Sequence, residues 1–203
     1  MKKSGIGNKI ILASASPRRR ELLTRAKIVF DVVPSQADED NSIDSDPRDL
    51  VLRNALTKAE DVSRRFPNTP VLGADTVVAY GGRVFGKPRD LADAKEMLKI
   101  LSGNTHSVFT GVAVLVAGKN ISEVDAEESR VKFKKLNDSE IDAYLKAVHV
   151  LDKAGAYAAQ ECGEMIIENI EGAFDNVMGL PCALAKNLLD TAQRAMQDDP
   201  TFA

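Results

Sequence analysis

The sequence predicts an α/β fold, in which an elongated mixed β-sheet is flanked by helices and two lobes surround a central cleft. Stretches with helical spacing of apolar residues alternate with apolar stretches typical of strands, which is the order of a sheet covered by helices. Two apolar stretches are followed by glycine turns, Gly81-Gly82 and Gly118-Lys119-Asn120, so part of the sheet is expected to be antiparallel. At 203 residues the chain can bury a large core.

In the first half, Ser16 is a good N-cap and Pro17 suits the first position of a helix. Asp46-Pro47 begins a second helix, and its apolar stripe recurs every three or four residues. The polar, acidic segment 35–46 between them is expected to be a loop or the rim of a site. The predicted strands of this half are 9–13, 29–33 and 70–80, and the predicted helices are 17–27 and 47–66, with Val51, Ala55, Ala59, Val62 and Phe66 in the stripe of the second.

In the second half, hairpin turns separate long apolar strands, and Asp90 caps the helix between them. The segment 152–164 is rich in small residues and is expected to be a loop, and 171–179 is expected to be a turn. The predicted strands are 83–85, 105–117, 121–136 and 165–170, and the predicted helices are 91–101, 137–148 and 181–197.

Composition excludes several classes of protein. The chain has 27 basic and 30 acidic residues, whereas nucleic-acid binding normally requires a basic face. Only Cys162 and Cys182 are present, which disfavours disulfide and structural zinc frameworks. No apolar run approaches the roughly 18 residues of a membrane span. We therefore expect a cytoplasmic protein with neither nucleic-acid nor membrane partners, with 1–8 a loose N-terminus and 199–203 a tail.

Three arginines stand in the first turn of the first predicted helix, Arg18, Arg19 and Arg20. This end of a helix carries the positive pole of the dipole and unpaired N–H groups, so cations there are unfavourable. A bound phosphate would reverse that sign, and a strand, a turn of small residues and a helix start form a typical phosphate cradle. The alternative is that the arginines extend into water.

Asp75 lies within an apolar strand, where an unpartnered carboxylate is costly to bury. Gly73 and Ala74 are expected to leave space beside it, and Thr76 adds a hydroxyl. The functional interpretation is a general base or a metal ligand, and the alternative is an aspartate that satisfies a turn.

Three further charged residues are candidates for a phosphate site. Lys58 lies at the edge of the second helix's apolar stripe, where it can extend to water or reach an anion in a cleft. Lys87, between Gly86 and Pro88, is either exposed or a phosphate contact. Glu39, within an acidic triplet, is either solvated or a metal ligand.

His106 and His149 are far apart and without cysteine partners, and Walker A, G-x-S-x-G and dinucleotide patterns are absent. The residues alone indicate an enzyme with a phosphate ligand.

From about Ile11 to Leu189 the sequence resembles the Maf family of nucleoside triphosphate pyrophosphatases. The resemblance rests on LASASPRRRELL, DED, LGADTVV, GKP, LSGNTHSVFTGVAV, LDKAGAY and NVMGLP, which occur in family order. It implies one domain over 9–198, a fold similar to that of the inosine triphosphate pyrophosphatases and a homodimer. It also implies hydrolysis of nucleoside triphosphates to monophosphate and pyrophosphate with a divalent cation, Mg or Mn.

The resemblance also implies roles for individual residues. Asp75 matches the proton acceptor and, with Glu39, the acids near the metal. The groups that match the phosphate side of the substrate site are Ser16, Arg18, Arg19, Lys58 and Lys87. Arg18, Thr76 and Gln160 match positions that distinguish the family's subgroups, and they are similar to the dTTP/UTP subgroup. Ala158 and Glu161 depart from the usual loop around Gln160, and the lower backbone freedom and extra negative charge are expected to alter base recognition.

Three other functions are the alternatives to this interpretation. A nucleotide sensor that regulates a partner, for example in cell division, needs phosphate-binding cations but no base, so Asp75 favours the enzyme. An RNA- or DNA-binding module is disfavoured by the acidic balance. A pyrophosphatase with another base specificity is the third alternative.

Overall fold

The computed structural model describes residues 9–40, 42 and 45–198. The expected loose N-terminus (1–8) and tail (199–203) lie outside the described residues. The strands are β1 (Lys9–Leu12), β2 (Val29–Val32), β3 (Val71–Tyr80), β4 (Arg83–Phe85), β5 (Thr105–Val116), β6 (Ile121–Phe133) and β7 (Ile167–Glu171). The helices are α1 (Pro17–Arg25), α2 (Pro47–Ser63), α3 (Leu91–Leu101), α4 (Asp138–Ala147), α5 (Phe174–Met178) and α6 (Cys182–Gln197).

The seven strands form one mixed sheet in the order β2-β1-β3-β5-β6-β7, with β4 paired to β3. β1 runs parallel to β2 and β3, whereas the β3–β4, β3–β5, β5–β6 and β6–β7 pairs are antiparallel. The predicted α/β class with a mixed sheet and flanking helices is therefore confirmed. No helix in the described part of the chain is long and apolar enough to cross a membrane.

The edge of β3 that faces away from β5 is shared by two strands. β5 pairs with β3 from Val71 to Ala79 and occupies one edge completely. On the other edge β1 pairs at Val71 and Leu72, and β4 pairs at 78–80. Within the described residues, no strand covers 73–77 on this edge. The sheet therefore contains a gap at the middle of its central strand, between β1 and β4.

Helix α2 lies directly on the sheet because two glycines remove the side chains beneath it. A Cβ at Gly73 would lie 2.3 Å from the carbonyl oxygen of Ala55, and one at Gly111 would lie 2.3 Å from that of Val51. The expectation that Gly73 leaves space beside Asp75 is wrong, since the backbone of α2 fills that space. In the β3–β5 register Asp75 pairs with Gly111, so this contact brings α2 over Asp75.

Two clusters of buried apolar residues lie towards opposite ends of the long strands, consistent with two lobes, and further clusters pack against α2. One lobe packs α1 and α6 against β1 and the start of β3, with the buried residues Ile10, Leu12, Leu23, Leu72, Val114 and Leu189. The other packs α3 and α4 against the start of β5 and the end of β6, with the buried residues Leu98, Val108, Val131, Phe133, Ile141 and Tyr144.

Most predicted bounds lie within two residues of those in the structure, and the larger differences have identifiable causes. The stripe of α2 is buried from Val51 to Val62, but the helix ends at Ser63 and Phe66 is 37% exposed. The residue before a proline is disfavoured in a helix, and Phe66 precedes Pro67. β6 ends at Phe133, next to an irregularity in its pairing with β7, rather than at Leu136. The predicted turn at 171–179 contains the short helix α5.

Candidate active site

A cleft of about 1020 Å³ opens at the gap in the sheet. It is bordered by the start of α1, the acidic loop before α2, the exposed edge of β3, the turn after β4 and the loop after α4. The residues that the resemblance assigned to the site all line it, namely Ser16, Arg18, Arg19, Glu39, Lys58, Asp75, Thr76, Lys87 and Gln160. Segments far apart in the sequence thus converge on one site.

The three arginines in the first turn of α1 point in different directions. Ser16 caps the helix by accepting a hydrogen bond from the backbone N–H of Arg19 at 3.5 Å. Arg20 is exposed, so for this residue the solvated alternative holds. Arg18 is half-buried, lines the cleft and approaches the carbonyl oxygen of Asp152 at 3.5 Å.

Arg19 is anchored inside the cleft by three hydrogen bonds. Its guanidinium donates from Nε to the carbonyl of Gly179 at 2.9 Å, from Nη1 to Ser14 Oγ at 3.1 Å and from Nη2 to Thr76 Oγ1 at 3.1 Å. Burial lowers the pKa of Arg19, and the carboxylate of Asp75 acts in the opposite direction. Since a guanidinium has five N–H donors, two remain for a ligand.

Thr76 faces away from Asp75, because neighbouring residues on a strand point to opposite faces. Its hydroxyl contacts Thr110 Oγ1 at 3.0 Å and accepts from Arg19 at 3.1 Å. Thr110 in turn donates to the carbonyl of Asn176 at 3.1 Å. Thr76 therefore holds Arg19 in place through its polar contacts.

Asp75 is buried, 6% exposed, and each of its oxygens has a donor. Lys58 Nζ lies 2.6 Å from Oδ1, and Asn54 Nδ2 donates to Oδ2 at 3.1 Å. The same ammonium lies 2.9 Å from Glu39 Oε1. Lys58 is only 7% exposed, so it does not extend to water, and in this arrangement its ammonium joins the two acids at the wall of the cleft.

Glu39 lies among several positively charged side chains. Partial burial acts to raise the pKa of Glu39, but the hydrogen bond and charge of Lys58, with smaller contributions from Lys87 and Arg19, lower it overall. Glu39 is therefore held as a carboxylate at neutral pH.

Asn54 is a site residue that sequence reasoning missed. It is buried, and besides Asp75 it binds the backbone of Asp40, accepting from the N–H at 2.8 Å and donating to the carbonyl at 2.9 Å. It thus fixes the acidic loop above the cleft. The available signal was its position four residues before Lys58, which places both side chains on one helix face.

Two more missed residues support the loops of the site. Asn176 is fully buried, and its Nδ2 donates to the carbonyl of Val108 at 3.0 Å and to Ser129 Oγ at 2.9 Å, which anchors the α5 turn to β5 and β6. Lys153 is buried beneath the Gln160 loop and lies 2.9 Å from Asp152 Oδ1 and 3.6 Å from Glu161 Oε1. Both residues stand in motifs quoted above, NVMGLP and LDKAGAY.

The Gln160 side chain is oriented by its neighbour. Its Nε2 donates to Glu161 Oε1 at 3.1 Å, while Oε1 is buried and has no hydrogen-bond partner among the described residues. The departure at Glu161 thus acts directly on the amide that the resemblance assigns to base recognition.

Comparison with known proteins identifies the family of the chain. Residues 9–192 match the family described as Maf-like protein. The chain belongs to this family. The resemblance drawn from the sequence motifs is therefore confirmed.

Several curated Maf-like relatives are similar over most of the chain. The dTTP/UTP pyrophosphatases of Bacillus cytotoxicus and Bacillus mycoides are each 46% identical over 175 residues, 86% of this chain and 91% of those proteins. That of Bacillus cereus (strain AH187) is 45% identical over 173 residues, 85% of this chain and 90% of that protein.

Two solved structures also resemble the Maf-like chain. A HAM1 protein from Coxiella burnetii has a TM-score of 0.47 at 12% identity, with 95% of this chain and 100% of that chain covered. The Staphylococcus aureus Ham1 protein has a TM-score of 0.42 at 12% identity, with 62% and 71% covered.

The oxygen atoms of the Maf-like cleft fit a hard divalent cation. Glu39 and Asp75 approach one positive centre, the Lys58 ammonium, and the carbonyl of Ala74 lies 3.4 Å from the same nitrogen. No three histidine, cysteine or acidic residues gather into a metal-binding group within the described ranges. Mg²⁺ commonly uses only one or two carboxylates and takes its other ligands from substrate phosphates and water, so this donor set suits it.

Proposed function

We propose that this protein hydrolyses pyrimidine nucleoside triphosphates, principally dTTP and UTP, to the monophosphate and pyrophosphate. The observation that carries the proposal is the buried carboxylate of Asp75 in a cleft that also contains Arg18, Arg19 and Lys87. Relatives named dTTP/UTP pyrophosphatase, at 45–46% identity, support the substrate class. A housekeeping role in the nucleotide pool, as a cytoplasmic homodimer, is part of the same proposal.

In this mechanism Asp75 orients a water molecule and accepts its proton as the water attacks the α-phosphorus. Asn54 keeps the carboxylate in position through Oδ2. A divalent cation, Mg or Mn, would be held by Glu39 and Asp75 and would supply positive charge to neutralise the charge that develops on the phosphates.

The leaving pyrophosphate requires fixed positive charge. Arg18 and Lys87 line the cleft, and Arg19 has two N–H groups without a partner among the described residues. Ser16 sits at a helix start, where backbone N–H groups favour an anion. Charge-assisted hydrogen bonds of this kind are about twice as strong as neutral ones.

Gln160 is the proposed reader of the base. A uracil or thymine edge presents two carbonyl acceptors and one N–H donor, and an amide can serve both kinds of group. Glu161 accepts a hydrogen bond from the Nε2 of Gln160 and so takes up one of the two donors that the amide could offer to the base.

The experiment is a panel of dTTP, UTP, CTP and purine triphosphates, with pyrophosphate and orthophosphate measured separately. We expect pyrophosphate from dTTP and UTP, loss of activity with a chelator and recovery with magnesium or manganese. Stepwise orthophosphate release would contradict the mechanism, and equal rates on all triphosphates would contradict the assigned base preference. Nucleotide binding without turnover would instead favour the sensor function.

A further inference from the structure

Lys58 occupies the centre of the oxygen atoms proposed to bind the cation. Its ammonium lies 2.6 Å from Asp75 Oδ1, 2.9 Å from Glu39 Oε1 and 3.4 Å from the carbonyl oxygen of Ala74. An ammonium has three N–H donors, so these three oxygens account for all of them. Lys58 therefore has no donor left for a phosphate while it holds this position.

We propose that Lys58 is an exchangeable counter-ion of the metal site. Its ammonium neutralises Glu39 and Asp75 before a divalent cation binds, and the cation takes over these carboxylates only as Lys58 moves onto the triphosphate. This inference rests on the proposed function, which supplies both the cation and the triphosphate.

Geometry and charge make the two arrangements mutually exclusive. Mg²⁺ binds oxygen at about 2.0–2.1 Å. A cation between Glu39 and Asp75 would thus be too close to an ammonium that touches both of them, and two positive charges at such a distance repel.

The remaining contacts allow Lys58 to leave without loss of the site. Asn54 holds Asp75 by Oδ2, the oxygen that Lys58 does not contact, so the carboxylate keeps its position. Lysine is a compact charge on a flexible four-carbon stem, which can swing between neighbouring anions. Lys58 lines the same cleft as Arg18 and Lys87, so a triphosphate bound there lies within its surroundings.

A counter-ion lysine and a lysine that only binds phosphate affect the affinity for a metal differently. Removing a group that only binds phosphate leaves the affinity for a metal unchanged. Removing a counter-ion raises that affinity, because the metal no longer has to displace it. It also leaves two carboxylates close together without their positive partner, which destabilises the fold until a cation replaces the ammonium.

The test is a titration of wild type and variants with Mn²⁺ alone, without nucleotide, measured by electron paramagnetic resonance and by the metal-induced rise in Tm. Lys58→Met should bind Mn²⁺ about tenfold more tightly than wild type, within the range of coupling between sites, and should show the larger Tm rise. Lys58→Gln repeats the test with a polar side chain should the methionine variant not fold. Lys58→Arg keeps the charge and should bind Mn²⁺ as wild type does. Lys87→Met removes a cleft lysine that does not touch the acids, so its Mn²⁺ affinity should stay within about threefold of wild type.

Mn²⁺ affinity in Lys58→Met and Lys58→Gln no higher than in wild type would overturn the inference. A higher Mn²⁺ affinity in Lys58→Met that persists when Glu39→Gln is added would overturn it as well, because the metal would then bind elsewhere. Hydrolysis of dTTP by wild type is measured separately. If wild type does not hydrolyse dTTP but the Lys58 variants bind Mn²⁺ more tightly, the result contradicts the proposed function and not the counter-ion role of Lys58.

Discussion

Asp75 is the residue on which the proposed chemistry depends, and its replacement by asparagine keeps its size while removing the base. We expect Asp75→Asn to lower kcat by roughly 10²–10⁴-fold, the usual contribution of a general base. At saturating metal the KM should change little, because Arg18, Arg19 and Lys87 still hold the phosphates. The NH2 group of the asparagine must face either Lys58 or Asn54. Both of these are donors, so a stability loss of about 1–3 kcal/mol is expected as well.

Steady-state kinetics on dTTP checks this prediction, with circular dichroism to confirm folding. A kcat within about threefold of wild type would move the role of base to another residue, with Glu39 as the next candidate.

Arg18 and Arg19 are adjacent in sequence but should respond differently to alanine. Arg18 has a long contact to one carbonyl, so Arg18→Ala should weaken triphosphate binding by roughly 10–150-fold and leave thermal stability nearly unchanged. Arg19 links α1 to β3 and to the α5 turn, so Arg19→Ala should lower both affinity and Tm. Calorimetric titration with a non-hydrolysable triphosphate and thermal melts separate the two. Unchanged affinity in Arg18→Ala would mean that its side chain is only solvated.

His106 should make stability depend on pH. It is buried, its Nε2 lies 2.9 Å from the Tyr157 hydroxyl, and burial lowers its pKa from 6.5 to about 4. Because the unfolded chain takes up the proton first, stability is fully present above pH 6.5 and falls as the pH drops towards 4. One pKa unit corresponds to 1.36 kcal/mol, so the loss is about 3 kcal/mol.

Urea denaturation at several pH values checks this dependence. His106→Gln should lack that part of the slope, whereas the exposed His149→Gln should retain it. Identical slopes in His106→Gln and wild type would show that His106 accepts its proton in the folded state as readily as in the unfolded state.

At the scale of elements, the contact of α2 with the sheet sets the site. Gly73→Ala places a methyl group 2.3 Å from the carbonyl oxygen of Ala55, so the helix must move or the strand must shift. We expect a loss of about 3 kcal/mol or more, the upper part of the range for overpacking. The rate should also fall, because α2 carries Asn54 and Lys58 to Asp75.

Gly86→Ala is the matched control, since a Cβ there meets nothing within 4 Å. It should be neutral or stabilising by up to about 1 kcal/mol through the unfolded state. Chemical denaturation of both variants makes the comparison. Equal stabilities would mean that α2 does not depend on the glycine for its approach.

The elements themselves were largely predictable from local patterns, whereas their contacts were not. The spacing of Val51, Ala55 and Ala59 predicts α2, and Asp46-Pro47 predicts its start. The pairing of Lys58 with Asp75 depends on the register of a helix on a distant strand, which no local pattern encodes. The α5 helix has five residues, too few for a periodic signal.

At the scale of the whole molecule, the sequence motifs and the topology lead to the same site by independent routes. The motifs nominated residues from the α1 turn to the loop after α4, and the gap between β1 and β4 brings them into one cleft. The roles of Lys58 and Thr76 could not be predicted, because their polar contacts are with partners on other elements. The resemblance nominated them for the substrate, and in the structure they also hold Asp75 and Arg19.

The central claim is that water activated at Asp75 attacks the α-phosphorus of the triphosphate. Hydrolysis of dTTP in water enriched in oxygen-18, followed by mass spectrometry of both products, tests it directly, because attack at the α- or the β-phosphorus gives the same two products with the label in different places. We predict the heavy oxygen in the monophosphate and none in the pyrophosphate. Label in the pyrophosphate would show attack at the β-phosphorus and would contradict the claim.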